Sequence, residues 1–233
     1  MGDDAERILH ERAAPSAVAP SGEAAPGGGG RVVPVILAAG ASRRLGYPKA
    51  LVRLGGRTLL RRAAVSALRV ATGPVLVVVS SAGAESLRAE LRGLPVSIVL
   101  NAGAAGGVST SVAAAVAATP VNAAGWLFML VDQPLVPADH LAALVAAARA
   151  PGVKAVASGY DGTEGAPMVL GAALRDGLLA LRGDRGAGGL VRALPAGERR
   201  VLPCPEASLD IDTEADIARA RGALVAAFGA RRP

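Results

Sequence analysis

The stretch Pro34-Val35-Ile36-Leu37-Ala38-Ala39-Gly40-Ala41-Ser42-Arg43-Arg44-Leu45-Gly46-Tyr47-Pro48-Lys49 decides how the chain is read. It opens as an apolar run of strand type. At Ala38-Ala39-Gly40 it breaks into residues small enough for a ligand to approach the backbone. Ser42, Arg43 and Arg44 follow, the chain turns at Gly46, and Pro48-Lys49 leads into a new apolar run. A buried strand that empties into a small, cationic loop is how open α/β sheets bind phosphorylated ligands at their carboxyl edge. The stretch therefore predicts a cradle for a nucleoside triphosphate. The P-loop pattern does not fit, because Gly40 and Gly46 are separated by five residues and Lys49 follows a proline. The dinucleotide fingerprint G-x-G-x-x-G is absent as well.

Outward from this loop, apolar strands and amphipathic helices alternate. Residues 32–38 predict the first strand and residues 50–54 a short extended piece, with Gly55-Gly56 as a turn. Thr58 is placed to cap a helix to about residue 70, with Leu59, Leu60, Ala63, Val65 and Leu68 on its buried face. Residues 74–79 are wholly apolar, as a strand covered on both faces must be. A helix near 84–91 and a strand at 96–100 complete a β-α-β-α-β series. That order predicts an α/β fold, a doubly wound, mostly parallel sheet with right-handed crossovers. Further strands are expected at 125–131, 153–158 and 199–202, a polar turn at 160–165, and a closing helix at 214–228.

At 233 residues the chain suits one α/β domain, read here as residues 31–233. Residues 1–30 hold Pro15, Pro20, Pro26 and four consecutive glycines, with few large apolar residues, and predict a disordered extension and linker. No apolar run reaches the roughly eighteen residues of a membrane helix, and the N-terminus lacks the apolar centre of a secretory signal. The single cysteine, Cys204, leaves no internal disulfide and no multi-cysteine metal site, in keeping with a cytoplasmic enzyme. The net charge of +6 comes from arginines spread along the chain, and aromatic residues make up 2%. Nucleic-acid binding is not expected from that pattern. Only two of the 25 basic residues are lysines, Lys49 and Lys154, so a lysine in the phosphate loop suggests a need for a compact point charge.

Leu37, Ala38, Ala39, Gly40, Ser42, Arg44, Gly46, Pro48 and Lys49 match the signature L-A-A-G-x-S-x-R-x-G-x-P-K of the MobA-like NTP transferases. That family includes the molybdenum cofactor cytidylyl- and guanylyltransferases. The resemblance implies a three-layer, Rossmann-like fold of the nucleotide-diphospho-sugar transferase type. It extends over residues 32–222 through five further motifs. Asn101, Gly106, Gly107 and Ser109–Ser111 resemble a second glycine loop that contacts the nucleotide; read from the residues alone, they equally describe helix capping. Asp132, just past a buried strand in Val131-Asp132-Gln133-Pro134, resembles the family's metal-holding aspartate. Pro167 and Arg185 fall in segments that resemble the acceptor side, although Arg185 also reads as one more solvated arginine.

Leu209-Asp210-Ile211-Asp212-Thr213-Glu214-Ala215-Asp216 resembles the cytidylyltransferase ending L-D-I-D-T-P-x-D, with glutamate where the family often has proline. Thr213 and Asp216 form a variant capping box. Asp210 and Asp212 are read as facing opposite ways, and Asp210 is chosen over Asp212 to complete the metal site.

The resemblance thus implies an enzyme that moves a nucleoside monophosphate from a triphosphate, CTP favoured over GTP, to a phosphorylated acceptor. Molybdopterin is the expected acceptor, pyrophosphate the product and Mg2+ the cofactor. Lys49, Arg44 and Asp132 are the expected catalytic residues, and Leu37, Ala38, Ala39, Gly40, Ser42, Asn101, Gly107 and Ser109 the expected nucleotide contacts. A molybdoenzyme or its maturation chaperone is the implied protein partner. Two alternatives remain open: a sugar-1-phosphate nucleotidyltransferase on the same fold, and a nucleotide-binding regulatory module without turnover.

Overall fold

In the computed structural model, residues 30–229 are described, apart from Ala41 and Arg43. The expected extension falls outside the described residues except for Gly30. Strand β1 (Val32–Leu37) lies inside the sheet, with its four inner residues buried. It pairs in parallel with β4 (Leu76–Ser80) on one side and β6 (Gly125–Leu130) on the other. Pro34 lies inside β1 rather than at its start, but the ladder with β4 begins only at Val35, so Pro34 is paired on one side. Beyond β4 lies β5 (Ser97–Asn101); beyond β6 come β8 (Thr163–Gly171), β7 (Ala155–Tyr160) and β9 (Arg199–Pro203).

Six of these seven strands run the same way, and β8 alone is reversed, antiparallel to both neighbours. The expected polar turn at 160–165 is thus mostly strand. Asp161 and Gly162 suffice to reverse the chain because both take positive φ, 48° and 70°, the geometry of a two-residue hairpin. Near Ser158 the β7–β8 register shifts, so that Pro167 bulges out of the ladder.

Alternate residues of the central strands feed two cores. Ile36, Val77, Val79, Leu127 and Met129 face one side of the sheet; Val35, Leu76, Val78, Trp126 and Phe128 face the other. Helix α1 (Leu59–Val70) packs on the first side together with α4 (Ala138–Ala147). It starts where Thr58 accepts a hydrogen bond from the Arg61 amide at 3.2 Å. It buries Ala64 and Ala67 with Leu59 and Leu60, whereas Ala63 and Leu68 are only partly covered. Each fully buried leucine adds roughly 1.5–3 kcal/mol. The expected extended piece at 50–54 is instead one 3-10 turn, Lys49–Leu51, followed by a small hairpin of β2 (Arg53–Leu54) and β3 (Arg57–Thr58).

Helix α2 (Ala84–Glu90) joins β4 to β5. Helix α3 (Val108–Ala117) covers the second face; the alanine-rich run 112–118 alone predicts this helix, but it starts at Val108 because Gly107 ends the preceding turn at once. Ser109, Thr110 and Ser111 therefore lie within its first turns. Short helices α5 (Arg175–Leu179) and α6 (Gly188–Ala193) cover the same face, and α7 (Glu214–Gly229) closes the described chain. Among the described residues, no helix is long and apolar enough to cross a membrane.

Candidate active site

The carboxyl ends of β1 and β6 open onto one crevice, because the two strands are parallel neighbours. After β1 the Ala38 amide still donates to Val78 at 2.9 Å, and the chain then leaves the sheet. Ser42 organises the loop that follows. Its carbonyl accepts from the amides of Leu45 (3.2 Å) and Gly46 (3.3 Å), and its hydroxyl accepts from the Lys49 amide at 2.9 Å. These bonds hold Ser42 at φ 48°, a left-handed conformation uncommon for a residue other than glycine. The loop thus returns the chain so that Lys49 points back into the crevice.

There the Lys49 ammonium donates to Asp132 Oδ2 and to Asp212 Oδ1, both at 2.7 Å. Its side chain is 15% exposed and that of Asp132 17%. Burial opposes the ammonium charge, but Asp132 and Asp212 outweigh it and hold the Lys49 pKa above its ordinary value. Arg44, far more exposed, donates through Nη1 to the second oxygen of Asp212 at 2.7 Å. The Tyr47 hydroxyl donates to Glu214 at 2.6 Å and ties the loop to the start of α7.

The segment carrying Asp210 and Asp212 is pinned beside Asp132, whose carbonyl accepts from the Ile211 amide at 3.0 Å. Ile211 is fully buried. The reading that the two aspartates face opposite ways fails. Residues two apart on an extended stretch share a face, and Ile211 takes the opposite one. Asp212 binds Lys49, while Asp210 lies near enough to Asp132 to feel its charge. The Asp210 side chain reaches solvent at the crevice edge, yet its carboxyl is pushed up to about 6, first by desolvation and then by Asp132. Asp216 fixes the next turn by accepting from the amides of Asp212 (3.0 Å) and Thr213 (2.7 Å). The Asp216 amide donates in return to the Thr213 hydroxyl, closing the expected capping box.

The residues present fit a hard divalent cation. Desolvation and the nearby Asp132 charge raise the cost of ionising Asp210, and an ammonium is already lodged between Asp132 and Asp212 as a stand-in positive charge. Among the described residues no group of three or more histidine, cysteine or acidic side chains forms a complete metal cage. Mg2+-like ions do not need one, because they bind through one or two carboxylates and substrate phosphates.

The second glycine loop is built differently. Buried Asn101 donates to the hydroxyls of Thr110 (2.9 Å) and Ser111 (3.0 Å) and accepts from the Gly103 amide (2.9 Å). Gly107 has φ 93°, and a Cβ there would lie 2.4 Å from the Gly183 backbone, so only glycine lets the two loops meet. Ser109, buried at the start of α3, sends its amide to the Gly183 carbonyl at 3.1 Å. Arg185 stands exposed in the facing loop. Pro167, in the β8 bulge, accepts from the Ser158 hydroxyl at 2.6 Å, and His140 contacts the same hydroxyl at 2.8 Å. Gln133 is buried, donates to the Ala207 carbonyl at 2.9 Å and leaves Oε1 without a protein partner.

The family model of the MobA-like NTP transferase domain matches residues 34–199, from β1 to the first residue of β9, including Lys49 and Asp132. The chain belongs to the MobA-like NTP transferase family. Its class is therefore nucleotidyltransferase. Among solved structures it is similar to the Rv0371c homologue of Mycobacterium sp. strain JC1, with 33% identity over 84% of this chain and 97% of that one, TM-score 0.69. Rv0371c of Mycobacterium tuberculosis, solved in complex with manganese, is 25% identical over 83% of this chain and 99% of that one, TM-score 0.66. Molybdopterin-guanine dinucleotide biosynthesis protein A of Archaeoglobus fulgidus shares the fold at 18% identity, over 83% and 99% of the two chains, TM-score 0.65. No curated protein matches the chain. The manganese of one neighbour is consistent with divalent-metal use in the family.

Sequence reasoning missed the part Asp212 plays and the Tyr47–Glu214 contact. The only available signal was the replacement of a family proline by Glu214, which gives the start of α7 an acceptor for the loop.

Proposed function

We propose that this MobA-like NTP transferase moves a cytidylyl group from CTP to the phosphate of molybdopterin. One observation carries the reading: the signature loop brings Lys49 and Arg44 onto the carboxylates at the ends of β6 and of the 209–213 segment. Cations for phosphates and oxygens for a metal thus meet at one point. In the transfer, an acceptor phosphate oxygen attacks the α-phosphorus of the triphosphate. The bond from the α-phosphorus to its bridging oxygen breaks, and that oxygen leaves with pyrophosphate. Such a step needs positioning and charge neutralisation more than proton transfer.

Each group has its part. The strand end at Leu37 and the small residues Ala38, Ala39 and Gly40 let the triphosphate lie against the backbone, and Ser42 keeps the loop in shape around it. Lys49 and Arg44 neutralise the phosphates, Lys49 from a largely buried position. A divalent cation, Mg2+ in this reading, would be held by Asp132 and Asp210 and would neutralise charge developing on the α-phosphate. Asn101, Gly107 and Ser109 shape the wall for the nucleoside, and Pro167 and Arg185 stand on the acceptor side. The product would pass in the cytoplasm to a molybdoenzyme or its maturation chaperone.

The test is a pyrophosphate-release screen of the four ribonucleoside triphosphates against molybdopterin and a set of sugar 1-phosphates. The expected pair is CTP with molybdopterin. Faster release with a sugar 1-phosphate would replace the acceptor, and faster release with GTP would replace the nucleotide. Silence with every pair would favour the binding module.

A further inference from the structure

The ion pairs in the crevice join the groups expected to hold a nucleotide to the groups expected to hold its metal. We infer that Lys49 is a resident counter-ion that competes with the metal for Asp132, and that Asp212 is a positioning residue that parks Lys49 and Arg44 until a triphosphate draws them away. The inference rests on the reading of this crevice as the nucleotide and metal site.

Two features support it. First, Lys49 divides its donors between Asp132 Oδ2 and Asp212 Oδ1 at equal distances of 2.7 Å. With the Lys49 side chain 15% exposed, this is an ion pair shielded from water, where removing one partner leaves the others uncompensated. A dication arriving alone at Asp132 meets the ammonium already bound there and is repelled by it. Second, Asp212 spends both oxygens on the loop, one on Lys49 and one on Arg44. A triphosphate arriving without metal must take both cations from a carboxylate that already neutralises them.

The two obstacles cancel when both ligands are present. Phosphates draw Lys49 and Arg44 off Asp212, and the same movement uncovers Asp132 for the cation. Metal and triphosphate therefore strengthen each other's binding, a coupling that must be reciprocal. Glu214 and Tyr47 lie on the same seam, and their 2.6 Å hydrogen bond keeps the loop beside the aspartates before the exchange. The arrangement favours loading of the nucleotide and its ion together over loading of either one alone.

Two binding measurements on the full chain test this, neither needing an acceptor or turnover. Mn2+ alone is titrated into the wild type and Lys49→Met, with free ion read by electron paramagnetic resonance. Lys49→Met is expected to bind Mn2+ at least tenfold more tightly, because the competing cation is gone. Should Lys49→Met not fold, Lys49→Gln takes its place in the same titration. CTP without metal is then titrated calorimetrically into the wild type and Asp212→Asn, with chelator present. Asp212→Asn is expected to bind it at least threefold more tightly, since Lys49 and Arg44 are released. A plain metal ligand at Asp212 would leave metal-free CTP affinity unchanged, and a merely structural role would lower it; either result overturns the parking role. Mn2+ affinity in the lysine variants equal to or below wild type overturns the competition. If the pyrophosphate-release screen stays silent while both affinities rise as expected, the transfer reading fails and this one stands.

Discussion

The two small-residue loops of the crevice settle their hydrogen bonds in opposite ways. In the loop of residues 38–49, the described charged side chains pair across the crevice: Lys49 with Asp132 and Asp212, Arg44 with Asp212. In the loop of residues 103–107, buried Asn101 uses its amide group on Gly103, Thr110 and Ser111, which all belong to the loop and the helix it starts. The first set of bonds can be exchanged for bonds to a ligand at little net loss, since ions replace ions. The second cannot be given up without leaving buried polar groups unpaired. One loop is poised for chemistry, and the other is a fixed wall.

The largest expected effect breaks the first loop. Asp132→Asn removes a charge but little volume, so turnover should fall more than roughly a hundredfold, the scale of losing one preorganised charge-stabilising group. The variant should still fold, because Lys49 keeps its second carboxylate, Asp212. Steady-state pyrophosphate release with CTP and Mg2+, beside a thermal melt, checks both halves, and turnover within threefold of wild type would take Asp132 out of the site. The second loop should respond the other way. Asn101→Ala leaves the Gly103 amide and the Ser111 hydroxyl without these partners, while Thr110 keeps its bond to the Gly107 carbonyl, and should cost about 2 kcal/mol of stability. Urea unfolding measures it, and an unchanged midpoint would contradict the idea of a fixed wall.

The sequence revealed the first loop because its requirements are local: small residues after a buried strand, then a turn, then a lysine at fixed spacing. The alternation of strands and helices revealed the doubly wound sheet for the same reason. Reversed β8 was hidden, since the tight Asp161–Gly162 turn read as part of a longer polar loop. The pairing of Asp212 was hidden too, because it joins residues 163 positions apart and depends on where β1 and β6 place their ends. At Asn101, one pattern of residue types served both capping and ligand contact, and only the partners of its amide show which bonds are already made.

A smaller effect concerns the frame that presents Asp212. Arg219 first, and then Thr213, hold the Asp216 carboxyl well below the usual carboxylate range. Its folded pKa is thus below its unfolded one, so Asp216 contributes stability above about pH 4 that is lost as the pH falls further. Asp216→Ala should cost roughly 1 kcal/mol at pH 7, as for other lost caps. The gap to wild type in chemical denaturation should close toward pH 2. A gap that widens on acidification would show that the carboxyl is not held in its charged form.

The smallest effect is expected at the far end of the chain. Residues 1–29 carry too few large apolar residues to bury much surface, so deleting them should leave the melting temperature and turnover nearly unchanged. A fall of more than a few degrees would mean that this segment supports the domain, and the contrast between the two loops would have to include it.

A role for Lys49 in the transfer itself is tested by steady-state kinetics of Lys49→Ala and Lys49→Arg at saturating Mg2+. Arginine keeps the charge but is larger and planar, so Lys49→Arg should be impaired and Lys49→Ala more so. In Lys49→Ala, kcat and kcat/KM should fall together by about a hundredfold, close to 3 kcal/mol of barrier stabilisation. An unchanged kcat with only a raised KM for CTP would make Lys49 an anchor for the bound phosphates and contradict its role in the chemical step.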